Sequence, residues 1–311
     1  MKKFPFVHVA LFILTLLSTL SVGAMQTGVD LLKEPEKIYK GLPFALSLMI
    51  ILLSHELSHY FTSKKHGVKA TLPYFIPAPT FIGTLGAFIK MKSPIFTRKA
   101  LVDIGASGPV AGFIVSVIVT IIGLHLSKVV PAPQIPAAET RDAIIVYFGN
   151  SLIFSSLSQM TLGAIPSGWD ILLHPVARAG WIGLFVTSIN LIPVGQLDGG
   201  HVAYALFGGK IHKRTSVIIF GALLFMGVAK VFTSGDYFPG ILNSYIDLHN
   251  YAEKYFWEGW AVWAVLLFVL GLKHPPVLYW ETPLDYKRRF IGWLSLVIFI
   301  LTFIPVPFKV S

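Results

Sequence analysis

Apolar residues in this chain gather into long runs parted by short basic stretches or by clusters of proline and glycine. Seven runs are long enough to cross a bilayer as helices: Phe4 to Ala24, Leu42 to Phe61, Ala100 to Leu126, Trp181 to Phe207, Thr215 to Phe232, Phe256 to Leu272 and Phe290 to Pro307. An eighth stretch, Ala143 to Pro166, is apolar but dotted with Asn150, Gln159 and several serines. Between the second and third runs, Leu72 to Pro94 carries Pro73, Pro77, Pro79, Gly83 and Gly86 and has no helical period. From Phe81 to Lys92 it alternates imperfectly and reads as extended strand or hairpin. The pattern predicts an all-α polytopic membrane protein of about seven transmembrane helices with a small membrane-associated β-hairpin or sheet.

Two of the runs are interrupted by polar residues that membrane anchoring does not require. Glu56 is the one charge between Leu42 and Phe61, within His55-Glu56-Leu57-Ser58-His59. An ionisable residue in such a segment marks a functional site by default. In HExxH the two histidines stand four residues apart, about 40° apart in azimuth on a helix, so they can converge on one ion. Glu56 points aside from that pair, placed to take a proton from a water at the metal instead of ligating. The second interruption runs from Asn190 to His201, where Pro193, Gly195, Gly199 and Gly200 end one helix and start another. Unwound backbone at membrane depth is tolerated only where protein or a water-lined cavity satisfies it. Asp198 there could complete a site of two histidines and one carboxylate.

With both motifs in view, HExxH at His55 to His59 and NxxPxxxLDG at Asn190 to Gly199, the chain resembles the site-2 proteases, intramembrane zinc metalloproteases. Gly83 to Phe88 and Gly108 to Gly112 are also similar to that family, and the likeness extends over roughly Leu42 to Phe207. The resemblance implies one zinc ion per chain held by His55, His59 and Asp198, Glu56 as catalytic acid-base, and Asn190 near the substrate. It also implies that the extended Leu72 to Pro94 region forms a sheet, whose edge could hold an unwound substrate by backbone hydrogen bonds.

Composition agrees with a membrane enzyme. The chain is 54% hydrophobic and 13% charged, with a mean hydropathy of +0.71, well outside the soluble globular range. Cysteine is absent, which excludes disulfides, thiolate metal sites and cysteine nucleophiles. The formal net charge of +10 raises nucleic acid as a partner, but the position of the basic residues argues for topology instead. With Lys2 and Lys3 cytoplasmic, alternate loops place 16 of the 25 Lys and Arg on that side, from Lys64 to Lys99, Lys210 to Arg214 and Lys273 to Arg289. The expected partners are therefore the lipid bilayer and a transmembrane protein substrate, with no nucleic acid. Were Ala143 to Pro166 to span, Lys210 to Arg214 would fall outside, so that stretch reads as an interfacial or re-entrant helix on the outer side.

The expected location is the cell membrane, multi-pass, with the N-terminus cytoplasmic. His55 and His59 lie about 13 and 8 Å from the boundary marked by Lys64, which puts the active site in the cytoplasmic half of the bilayer. The first run resembles a signal peptide in its Lys2-Lys3 start and its small residues near Gly23-Ala24, but its length favours a retained anchor. The domain reading is 1–41 as N-terminal anchor and outer loop, 42–210 as metalloprotease core and 211–311 as C-terminal membrane helices.

Other polar residues receive plainer expectations. The small residues from Gly105 to Gly112 read as helix packing, and Asp103 as a charge at a helix start. His201, three residues after Asp198, is expected to support the metal ligands without binding the ion. His174 reads as structural, and His8, His66, His125, His212, His249 and His274 as interfacial. The function expected is an intramembrane zinc metalloendopeptidase. The alternative, a non-catalytic membrane metal-binding protein or transporter, would want several ionisable groups along a path, whereas this chain has one compact set.

Overall fold

The computed structural model describes residues 5–132, 146–233, 251 and 254–310. Nine helices carry most of the described chain: α1 (Phe6–Met25), α2 (Leu42–Lys65), α3 (Arg98–His125), α4 (Leu152–Leu162), α5 (Pro175–Asn190), α6 (Asp198–Phe207), α7 (Gly209–Thr233), α8 (Gly259–Leu270) and α9 (Tyr286–Thr302). Six short strands join them: β1 (Tyr74–Pro77), β2 (Thr84–Phe88), β3 (Lys128–Pro131), β4 (Val146–Phe148), β5 (Trp169–Leu172) and β6 (Phe308–Val310). Among the described residues, four helices are long and apolar enough to cross a membrane: α1, α2 with the 3₁₀ turn leading into it, α3 and α7.

The other three expected runs are shorter as helices, for local reasons. Trp181 to Phe207 is split into α5 and α6, because Pro193 and Gly195, the latter at φ +57°, do not continue a helix. The run ending at Leu272 narrows to the 12 residues of α8, which stops at Gly271 with φ +95°. The last run starts earlier, at Tyr286, where the Asp285 carboxylate accepts from the Arg288 N–H as an N-cap, and its 17 residues end at Thr302, ahead of Pro305. Within Ala143 to Pro166, residues 143–145 lie outside the described chain. The helix that does form there, α4, has 11 residues and extends about 16 Å, roughly half of a hydrocarbon core.

The chain divides into two compact units. The first comprises Met1–Phe96, Ala106–Pro136 and Ile153–Thr187. In it α1 packs on α2 and on the β1–β2 hairpin, whose antiparallel register pairs Tyr74 with Phe88 and Pro77 with Thr84. Phe12 of α1 meets Phe75 edge-on at 5.1 Å, and the Ser18 hydroxyl donates to the Ala78 carbonyl at 3.3 Å. The hairpin thus begins before the stretch expected from alternation, and an isolated bridge between Ala70 and Met91 extends it. β3 and β5 form a second antiparallel pair, from Lys128 with Leu172 to Pro131 with Trp169. The second unit comprises Thr97–Gly105, Ala137–Leu152 and Ser188–Ser311. In it α7 packs along α8, α6 contacts α7 and α9, and β4 pairs with β6.

Candidate metal centre

Helix α2 is the apolar run in which HExxH is embedded, and its regular backbone sets the histidine geometry. Pro43 in its first turn and Lys64 and Lys65 in its last suit the two ends of a helix, where a free N–H is not needed and cations face exposed carbonyls. His55 and His59 lie one turn apart with Nε2 atoms 3.1 Å from each other and ring centroids 4.8 Å apart. Both are 5% exposed and Glu56 is 6% exposed, so three ionisable groups are withdrawn from solvent on a single turn. Burial on this scale is costly unless the groups are paired or bind a cation.

The first unit also shows what lies against the imidazoles. A methyl group on Gly108 of α3 would collide with His59 Nε2, and one on Gly112 would come within 3.0 Å of His55 Nδ1. The small residues read from sequence as helix packing therefore pack on the histidine rings themselves. Spacing alone could not have shown this, although a Gly-x-x-x-Gly stripe in the helix following HExxH was a visible signal.

In the second unit Asp198 is the first residue of α6, directly after the irregular Leu191 to Leu197 connection. The turn is close-packed backbone: Gly199 lies against the Leu191 carbonyl and Gly200 within 2.6 Å, at its absent Cβ, of the Val194 carbonyl. Gly105 of α3 faces the Asp198 carbonyl and the His201 side chain, at 3.2 and 2.8 Å from its own absent Cβ. Asn190 is the last residue of α5 and half-buried. Among the described residues, His55, His59 and Asp198 make up a possible metal-binding group, each offering one ligand atom.

His201 does lie beside the aspartate turn, and its Nδ1 is 2.7 Å from Nε2 of His274, a pairing with no trace in the sequence spacing. The interfacial expectation fails for His212, which is 1% exposed and packs edge-on to Tyr204, and for His274, which is half-buried against the same tyrosine. His212 follows the turn at Gly208 that ends α6, and His274 follows the turn at Gly271 that ends α8. His8 bonds the Pro73 carbonyl at 3.2 Å, His125 bonds the Ile121 carbonyl at 2.9 Å, and His249 lies outside the described residues. His174 has a structural role: its Nδ1 accepts from the Val176 N–H at the start of α5, and burial, with Arg178 nearby, holds its pKa below the usual histidine value. Asp103 is an ion-pair partner at the start of α3, 2.7 Å from Arg288 of α9.

A model of the family described as peptidase family M50 matches residues 43–234. The probable zinc metalloprotease EGY2, chloroplastic, of Arabidopsis thaliana is 31% identical over 307 residues, covering 96% of this chain and 48% of that protein. The probable zinc metalloprotease EGY1, chloroplastic, of Arabidopsis thaliana is 37% identical over 181 residues, 58% of this chain and 31% of that protein. The probable zinc metalloprotease EGY3, chloroplastic, of Oryza sativa subsp. indica is 28% identical over 279 residues, 85% of this chain and 42% of that protein. The chain thus spans less than half the length of these relatives, and no solved structure matches it. The M50 model covers the helix of the buried histidine pair, the glycines against it and the aspartate turn, and on that match the chain belongs to peptidase family M50, the site-2 proteases.

Proposed function

We propose that this protein is an intramembrane zinc metalloendopeptidase that cleaves within or near transmembrane segments of other membrane proteins, as in regulated intramembrane proteolysis. The observation that carries the reading is a buried histidine pair with a buried carboxylate on the same turn of an apolar helix. The donor set fits zinc. Tetrahedral ligands at about 2.0–2.1 Å from an ion stand about 3.3 Å from one another, close to the 3.1 Å between the histidine nitrogens. Two imidazoles and a carboxylate, with no thiolate in the chain, form a set that leaves a position open for water.

In this reading His55, His59 and Asp198 hold the ion. When bound, zinc supplies Lewis acidity that polarises a scissile carbonyl and acidifies a water. The Glu56 carboxylate takes the proton of that water and returns it to the amine that leaves, so one group serves as base and then as acid. Asn190, at the end of α5, positions the substrate. The β1–β2 hairpin offers an edge to an extended peptide, which matters because a helical substrate hides its peptide bonds in its own hydrogen bonding. Residues 42–210 form the protease core, 1–41 the leading anchor and loop, and 211–311 the closing membrane helices.

The four long apolar helices associate the chain with a membrane. The distribution of Lys and Arg favours an N-terminus and active site on the cytoplasmic side of a cell membrane, while the chloroplastic label belongs to the relatives. Glu56→Gln tests the chemistry: zinc stays near one ion per chain while cleavage of membrane proteins in cells falls by at least about 100-fold. Cleavage at the wild-type rate would overturn the mechanism. A cysteine replacing Lys65 tests the orientation, since an impermeant thiol reagent should not reach it in intact cells. Labelling there would reverse the topology.

A further inference from the structure

The segment between α8 and α9, residues 271–285, lies beyond the stretch matched by the family model, yet in the second unit it is fastened to the helix that begins with Asp198. Tyr279 forms a β-bridge with Thr97. The Trp280 ring lies under the Arg98 guanidinium at 4.5 Å, and Arg98 Nε donates to the Ala205 carbonyl of α6 at 2.6 Å. Tyr204 of α6 stacks on the His274 ring at 4.2 Å and meets Trp280 edge-on at 5.4 Å. Held in this way, His274 presents Nε2 to Nδ1 of His201 at 2.7 Å, while its own Nδ1 lies 2.6 Å from the Pro275 carbonyl.

These contacts determine where the protons are. A carbonyl oxygen can only accept, so His274 Nδ1 carries a hydrogen. In the neutral ring Nε2 is then the acceptor, so His201 Nδ1 is the donor. Burial, which pushes the His274 pKa below its ordinary value, favours that neutral ring. His201 is three residues after Asp198, on the adjoining face of the same helix turn, and Gly105 closes against its Cβ. Fixing the His201 ring therefore fixes the first turn of α6.

We propose that His274 is a positioning residue for the metal site: through its bond to His201 it holds that ring in one orientation and keeps the Asp198 turn in its ligating pose. The inference rests on the zinc protease reading, but it adds a residue outside both motifs and outside the family match.

Two variants of the full chain, purified in detergent, separate this role from simple packing. In His274→Asn the side-chain amide sits where Nδ1 was, so the Pro275 contact survives while the acceptor facing His201 is lost. In His274→Gln the amide oxygen reaches the place of Nε2 and restores that acceptor. The probe is zinc alone, titrated against a competing chelator, together with the thermal midpoint of the metal-free protein. Loss of a group that orients a ligand typically costs about 10–100-fold in metal affinity, so His274→Asn should bind zinc at least about 10-fold more weakly and His274→Gln within about threefold of wild type. The metal-free midpoints should match. Wild-type affinity in His274→Asn overturns the proposal, as do equal losses in both variants. If the wild type bound no zinc, or Glu56→Gln still cleaved, the protease reading would fail instead, and those controls are read separately.

Discussion

In the proposed reading the histidine turn of α2 and the aspartate turn at the head of α6 serve one chemistry, and they are built by opposite means. On α2 the backbone is regular helix, and the four-residue spacing brings two Nε2 atoms to 3.1 Å without help from any turn residue. At Asp198 the preceding backbone is irregular, and close contacts with glycines hold the turn: Gly199 on Leu191, Gly200 on Val194 and Gly105 on Asp198. In the first region the vulnerable element is the imidazole surface, and in the second it is the backbone. Substitutions of similar size should therefore damage metal binding in one and folding in the other.

The largest effect is expected at Gly108. A methyl there collides with His59 Nε2, the end of a side chain that can swing away, so the helix survives while the ligand atom is displaced. Gly108→Ala should lower zinc affinity at least about 100-fold, the upper range for disturbed ligand orientation, and remove detectable cleavage with little change in the thermal midpoint. Gly112→Ala, whose methyl would meet His55 Nδ1 at 3.0 Å, should lose only a few-fold in affinity. Equal losses at the two positions, or a large fall in midpoint at Gly108, would show that α3 supports the fold more than the histidines.

Gly199 gives the opposite signature. Its missing Cβ points into the Leu191 carbonyl, which is backbone and cannot rotate away. Overpacking of this kind typically costs about 1–3 kcal/mol, so Gly199→Ala should lower the thermal midpoint of the metal-free protein and the yield of folded material. Zinc affinity of the fraction that folds should fall less than in Gly108→Ala. A stable Gly199→Ala protein with abolished zinc binding would erase the distinction between the two turns.

The sequence exposed the first region more fully than the second because helical periodicity is local. Four-residue spacing in an apolar run is enough to pair His55 with His59, and Pro193 with Gly195 is enough to predict the break before Asp198. Contacts between distant residues leave no such period. The bond from His201 to His274 spans 73 positions, and nothing near Lys273 marks it. The glycines of α3 were visible, but their neighbours were not, so they read as packing. Hydropathy likewise overstated continuity, since it counts apolar residues across Asn190 to Leu197 and past Gly271 where the backbone has already left the helix. The β3–β5 and β4–β6 pairs, with strands of three or four residues, are too short for alternation to register.

The smallest expected effect tests how widely support for the aspartate turn is spread. Gly105 rests on Asp198 and belongs to the start of α3, where the Asp103 carboxylate accepts from Arg288 Nε at 3.0 Å on both oxygens and from Arg288 Nη2 at 2.7 Å. The pair is partly exposed, with side-chain exposures of 26% and 19%, and pairs in such settings contribute about 0.2–1 kcal/mol. Asp103, with help from Asp285, holds the Arg288 pKa above an already strongly basic ordinary value. A raised pKa contributes stability that is fully present below the unfolded value and lost only as pH rises through the folded one, so this shift adds no pH dependence near neutrality. Arg288→Gln should therefore lower the thermal midpoint slightly, by the same amount at pH 6 and pH 8, and by less in high salt as the charges are screened. Zinc affinity should change less than twofold if the glycine contacts alone hold the turn. A larger fall in affinity, greatest at low salt, would mean that an ion pair at the foot of α3 is transmitted through Gly105 to Asp198, and the second region would then depend on electrostatics as well as on close-packed backbone.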